Sequence, residues 1–189
     1  MSALLDACAR DASPAGARDA AIIALLLGAG LRRSEAAALD SKDYDRETGA
    51  LKVRGKGDKE RLAYLESGAA AALADWLFVR GESDGALLHP VRKGGEIMRR
   101  RITAQAIYDA LAKRAHEAKL SALSPHDLRR TFVSELLDAG ADISAVQQLA
   151  GHANVQTTMR YDRRGEAAKR KAVALIHLPY RSRFGRLER

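Results

Sequence analysis

The chain has 189 residues, a single cysteine, 47% hydrophobic and 30% charged residues, and a formal net charge of +8. That length suits one domain with its own hydrophobic core, and the composition lies far from the sparse, highly charged regime of disorder. The longest apolar run, residues 20–27, falls short of the roughly 20 residues a membrane-spanning helix needs; the charges within residues 1–10 do not suit a secretory signal, and a lone Cys8 builds no internal disulfide, so a cytoplasmic protein is expected.

Leu4, Leu5 and Cys8 fall at helical spacing, and Pro14 and Gly16 predict a break over 11–17. Residues 18–27 read as a buried helix ended by Gly28 and Gly30. Residues 31–39 read as a second, short helix with Arg32 and Glu35 three apart on one face. Between 50 and 65 the period changes. Leu51 and Val53 alternate with Lys52 and Arg54, and Leu62 and Tyr64 are interleaved in the same way beyond Gly55-Lys56-Gly57-Asp58-Lys59, which predicts a β-hairpin. Residues 68–79 return to helical spacing with Trp76 packed, 86–88 read as a short strand, and Thr103 caps a helix running to about 118. In Ser124-Pro125-His126-Asp127, serine caps, proline suits the first helical position and aspartate answers the free amides; the helix runs to 139 and stops at Gly140. A helix over 144–150 ends at Gly151, and another begins near Asn154 and carries Thr157, Thr158 and Tyr161. Residues 167–178 form a last helical segment with Val173, Ile176 and Leu178 on an apolar stripe. The three short helices after 124 place His126, Arg129, His152 and Tyr161 within reach of one another.

The positive charge is uneven. Residues 160–189 hold ten Lys and Arg against three acids, and Arg92, Lys93, Arg99, Arg100 and Arg101 enclose only Glu96. A polyanion is the natural partner of such a chain, and nucleic acid is the commonest one. A solvated basic face is the alternative that charge alone leaves open.

Five segments, in order, narrow the choice: Gly30-Leu31-Arg32-Arg33-Ser34-Glu35, Gly55-Lys56-Gly57-Asp58-Lys59-Glu60-Arg61, His126-Asp127-Leu128-Arg129-Arg130, Leu149-Ala150-Gly151-His152, and Tyr161 nine residues on. From about residue 4 to 174 the chain resembles the C-terminal catalytic domain of the tyrosine recombinases, or phage-type integrases. The resemblance implies an α+β fold, mainly α-helical with a small three-stranded antiparallel β-sheet. It also implies one catalytic domain over 1–189, with 162–189 a basic C-terminal helix and tail. The N-terminal DNA-clamping domain of roughly 100 residues that relatives carry is expected to be absent.

The implied chemistry suits the residue types. Attack on a phosphodiester concentrates negative charge on the non-bridging oxygens, and planar guanidiniums meet it with paired, fixed donors. By resemblance Arg32 and Arg129 take that role, His126 and His152 add hydrogen bonds, and Tyr161 is the nucleophile that forms a 3′-phosphotyrosyl link. A phenol in water has a pKa of about 10 and needs a proton acceptor, for which His126 is the candidate; Lys56 matches the general acid for the departing 5′-oxygen. Glu35 matches an acidic position that orients a base or an arginine. Arg33, Lys59, Arg61, Arg99, Arg100, Arg101 and Arg130 are expected to contact DNA.

No metal or other cofactor is expected, because the bond energy is stored in the phosphotyrosyl link and neither a GxxxxGK[ST] loop nor a close carboxylate cluster is present. The expected partner is double-stranded DNA, which implies a nucleoid-associated protein, with a homotetramer on DNA, a monomer without it, and no membrane. The 167–178 segment is expected to dock either on its own domain or on a neighbouring protomer. A non-catalytic DNA-binding regulator and a type IB topoisomerase-like relaxing enzyme remain alternatives.

Overall fold

The computed structural model describes residues 2–55, 60–162, 165–177 and 179. Lys56, Lys59 and Leu178 lie outside them. Helix α1 (Ser2–Ala9) turns Leu4, Ala7 and Cys8 inward. The break after it is shorter than the sequence predicts: Ser13 caps α2 (Pro14–Ile23) by accepting from the Ala15 N–H, and Pro14 takes the first helical position, where its missing N–H costs nothing. Gly16 is needed within α2, since a Cβ there would stand 2.0 Å from the Asp11 carbonyl oxygen. A wide π-type turn, Ala24–Gly28, ends this helix.

Helix α3 (Arg33–Ala38) begins later than predicted. Arg32 is its N-cap, extended at φ −73° and ψ 150°, so Arg32 and Glu35 do not share a helical face; the Glu35 carboxylate instead accepts the Arg32 backbone N–H at 2.9 Å. Strands β1 (Ala50–Arg54) and β2 (Glu60–Tyr64) form the antiparallel hairpin, with Leu51 opposite Ala63 and Val53 opposite Arg61. Residues directly opposite point to the same face. The inner face of β2 is therefore Arg61 and Ala63, whereas Leu62 and Tyr64, the apolar residues the alternation singled out, are 53% and 44% exposed.

The expected third strand is not formed among the described residues. Tyr44 makes a single bridge to Leu51, and Ala86 one to Asp40. Residues 86–88 are held otherwise: the Leu87 N–H donates to Leu39 and the Leu87 carbonyl accepts from the indole of Trp76, both at 2.9 Å. The remaining helices are α4 (Ser67–Arg80), α5 (Ala104–Glu117) capped by Thr103, α6 (Pro125–Asp138), α7 (Ile143–Ala150), α8 (Val155–Met159) and α9 (Gly165–Ala174). Tyr161 falls in a turn just past α8, its N–H bonded to Thr158 O at 3.0 Å. Val173 and Ile176 are 67% and 73% exposed, so these two side chains are not packed on the described residues.

Two apolar clusters organise the whole. The larger gathers α1 to α5 and the hairpin around Leu25, Leu73, Trp76 and Ile107; the smaller joins α6 and α7 through Phe132, Val133, Leu137, Val146 and Ala150, with Tyr161 packed on it. Helix α6 packs on the 24–28 turn and α7 against β2, so the two clusters meet beside Gly30. Far from that junction Arg114 is buried in an ion cluster, donating to Asp19 at 2.8 Å, Glu117 at 2.8 Å and Asp11 at 2.5 Å. Those carboxylates outweigh the cost of burial and hold its guanidinium further above the ordinary range.

Candidate active site

Helix α7 supplies the frame. The last carbonyls of a helix have no partner within it and carry the negative end of its dipole. Here three successive ones, on Leu149, Ala150 and Gly151, each accept from a different arginine. Arg61 Nε bonds Leu149 O at 3.1 Å, Arg129 Nη2 bonds Ala150 O, and Arg32 Nη2 reaches Gly151 O at 3.4 Å. Gly151 makes the close approach possible by turning left-handed at φ 61°, and the His152 N–H then bonds back to Gln147 O at 3.0 Å. One short motif thus collects three cations and fixes the backbone of a histidine.

Each arginine arrives by its own route. Arg129 rides on α6, anchored by buried Leu128 and Phe132, and its Nη1 bonds Gly30 O at 2.5 Å. Gly30 is left-handed at φ 63° and lies on the Phe132 ring, 2.3 Å from where a Cβ would stand, which seats α6 on this loop. Arg32 follows buried Leu31 and leaves its side chain 46% exposed. Arg61 projects from the inner face of β2.

Glu35 ties two of them together. Its Oε1 accepts from Arg32 Nη1 at 2.6 Å and Arg61 Nη1 at 3.1 Å; its Oε2 accepts from Arg61 Nη2 at 2.8 Å and the Arg32 backbone N–H. Burial by itself would raise this carboxyl, but the Arg61 and Arg32 bonds outweigh it and hold Glu35 below the usual carboxylate range. Two guanidiniums therefore share one buried carboxylate, while Arg129 is held by the Gly30 and Ala150 carbonyls.

The surplus charge marks its neighbours. Burial pushes the Arg129 guanidinium down to about 10, with Arg32 and Arg61 adding to the depression and Glu35 and Tyr161 opposing it. His152 falls to about 4, first through burial and then through Arg129, Arg32, Arg61 and His126, so its ring is neutral at pH 7. Its Nδ1 lies 2.9 Å from the hydroxyl of fully buried Thr158. His126, second residue of α6, is exposed, and Tyr161 is half-buried against the smaller cluster. Arg32, Arg61, Tyr64, Leu149, His152 and Ala153 line an open cleft of about 1400 Å³. Arg54, Glu35 and Glu60 line it too, and a cleft in which arginines outnumber carboxylates beside a neutral imidazole suits a bound oxyanion.

Comparison with known proteins agrees with this geometry. The sequence model of the Phage integrase family matches residues 1–167. The chain belongs to the phage integrase family. It is 43% identical over 148 residues to a protein named tyrosine recombinase XerC from Shewanella amazonensis, covering 76% of this chain and 48% of that one. It is 41% identical over 147 residues to the XerC of Corynebacterium efficiens, covering 76% and 46%. The chain thus spans about half the length of these relatives. Among solved structures, that of XerA recombinase superposes with a TM-score of 0.72 at 26% identity, over 95% of this chain and 63% of that one.

Other residues expected to serve this integrase-family chain lie around the cleft or apart from it. Arg33 is exposed above the Tyr108 ring at 5.9 Å, and Arg130 pairs at 3.6 Å with Asp127. Arg99 and Arg100 are exposed, the Arg100 carbonyl bonding His89 Nδ1 at 2.8 Å. Arg101 turns back on the protein, donating to the carbonyls of Ala37, Ala38 and Leu39 at the end of α3 and to the Asp40 carboxylate. Arg61, grouped from sequence with the DNA contacts, is instead 13% exposed and bound to Glu35. The strand register was the signal for it, since Arg61 shares the inward phase of Ala63 and Leu65.

Proposed function

We propose that the chain is the catalytic domain of a site-specific DNA recombinase, which cleaves and rejoins double-stranded DNA through a 3′-phosphotyrosyl intermediate. The observation that carries the reading is the gathering of Arg32, Arg61 and Arg129 on the carbonyls that end α7, the first two also on the Glu35 carboxylate, with His152 and Tyr161 adjoining. The relatives' names support the same activity.

In this reading the Tyr161 phenolate oxygen forms a bond to the scissile phosphorus and the P–O5′ bond breaks. The phenol proton passes to His126, and Lys56 returns one to the leaving 5′-oxygen. Arg32 and Arg129 meet the charge that develops on the non-bridging oxygens, and neutral His152 offers a further hydrogen bond. Glu35 orients Arg32. Rejoining is the same exchange run by a DNA 5′-hydroxyl, so no external energy source enters. Exposed Val173 on α9 and Ile176 just beyond it support docking of this segment on a neighbouring protomer, and with it a tetramer on DNA from a monomer without it.

A nicked suicide duplex bearing a candidate site, mixed with the protein without nucleotide, tests this. The expected result is a denaturation-resistant protein–DNA adduct that vanishes in Tyr161→Phe. Persistence of the adduct in Tyr161→Phe refutes the assignment of the nucleophile. Absence of adduct, both from this chain and from a chimera carrying the N-terminal domain of a XerC relative, refutes the activity. DNA affinity of the chain alone should fall steeply with salt, as phosphate-dominated binding does.

A further inference from the structure

We propose that Arg61 is a positioning residue, which holds Arg32 in its reactive place through Glu35 and locks the base of the Lys56 hairpin to the end of α7; this rests on the recombinase reading above. Each oxygen of Glu35 is shared by one donor from Arg61 and one from Arg32. With Arg61 in place the carboxylate has a single orientation, and the Arg32 guanidinium that bonds it inherits that orientation. Without Arg61 the carboxylate keeps only its Arg32 partners and can rotate with them.

Arg61 also joins β2 directly to the end of α7. It is the second residue of β2, and its Nε bonds Leu149 O at 3.1 Å across 88 residues of sequence. The third bond of that kind is what gives α7 its common end for Arg32, Arg61 and Arg129. Gly151 provides the room: a Cβ there would lie 2.9 Å from Arg61 Cδ, 3.0 Å from Nε and 3.1 Å from Cζ. The division of labour follows exposure. Arg32, 46% exposed, can reach a phosphate in the cleft, whereas Arg61, 13% exposed, has Nε, Nη1 and Nη2 all engaged by protein acceptors. Lysine offers a point charge without two parallel donors and cannot reproduce the grip on the carboxylate.

The test compares Arg61→Met and Arg61→Lys with wild type in three measurements. In single-turnover adduct formation at saturating protein, both variants should react about 10- to 100-fold more slowly, the loss expected when a reacting group is misplaced by about 1 Å. In DNA binding against salt, both should keep wild-type affinity and slope. In side-chain NMR, the Arg32 guanidinium protons should exchange faster in both variants than in wild type. A DNA-contact role predicts the opposite: weaker binding, a salt slope reduced by about one, and a wild-type rate at saturation, and that outcome overturns the proposal. So does an Arg61→Lys protein that reacts at the wild-type rate. The NMR arm needs no reaction, so unchanged Arg32 exchange in a folded Arg61→Lys protein overturns the positioning role whether or not wild type forms adduct. A wild type that forms none counts against the recombinase reading alone.

Discussion

Glu35→Gln isolates the charge at the centre of the site. Glutamine keeps the shape of the side chain but removes the only carboxylate among the described residues that is bonded to Arg32 and Arg61, and its amide presents donors to guanidinium donors. The two pairs do not count equally. Arg32 is 46% exposed, so its pair contributes at most about 1 kcal/mol after screening. Arg61 and Glu35 are 13% and 5% exposed, and removing one partner of a buried pair costs about 3–5 kcal/mol because the other stays uncompensated. A loss of about 4 kcal/mol with m near 2 kcal/mol/M lowers the urea midpoint by about 2 M. Urea unfolding at pH 7, wild type against Glu35→Gln, measures it. The sign with pH is fixed: the folded carboxyl is held below its ordinary 4.5, so the gap between the two proteins is full above about pH 4.5 and narrows as pH falls through the folded value. A loss below about 1 kcal/mol at unchanged m refutes the argument, as does a gap that closes on raising the pH.

Gly30→Ala should cost about 2–4 kcal/mol, read as a melting temperature lower by roughly 5–15 °C, because its φ of 63° and a Cβ 2.3 Å from the Phe132 ring add backbone strain to overpacking. Arg114→Met leaves fully buried Asp19 with Arg18 in place of two arginine partners and should cost about 3 kcal/mol in urea, while the adduct rate of the folded protein stays at the wild-type level, since no member of that network lines the cleft. His152 should titrate by NMR near pH 4 in the free protein, well below the ordinary 6.5; its folded value is depressed, so its contribution of about 1–2 kcal/mol, after screening of the partly exposed ring, is complete above pH 6.5 and lost as pH falls toward 4. A midpoint at or above 6 contradicts the burial of this ring together with the positive field of Arg129, Arg32 and Arg61 that adds to it.

The sequence made most helix ends readable because their chemistry is local. Ser124-Pro125 at the start of α6, Thr103 at the start of α5 and Gly151 at the end of α7 act within one turn of where they stand. The same locality explains the errors. Pro14 reads as a breaker until Ser13 is seen to cap the helix it opens. Residues 86–88 look like a strand, but their hydrogen bonds go to Leu39 and Trp76, which are distant in sequence. The motif residues Arg32, Arg129 and His152 were legible as a constellation, whereas the object that assembles them, a run of three carbonyls at the end of α7, carries no side-chain signature at all.

Arg61 shows where the boundary between legible and hidden falls. Reading apolar alternation on β2 favoured Leu62 and Tyr64 as the inner residues, because a leucine and a tyrosine outweigh an arginine and an alanine on any hydropathy scale. Pairing decides otherwise: Leu51 and Val53 are buried, Ala63 and Arg61 lie opposite them, and a one-residue change of phase moves every side chain to the other face. An arginine can occupy the inner phase only where a carboxylate and a free carbonyl await it. Glu35 and Leu149 supply both, from segments 26 and 88 residues away. The buried arginine on β2 and the buried acid on α3 are thus each intelligible only in the presence of the other, and it is their pairing that leaves Leu62 and Tyr64 on the wall of the cleft.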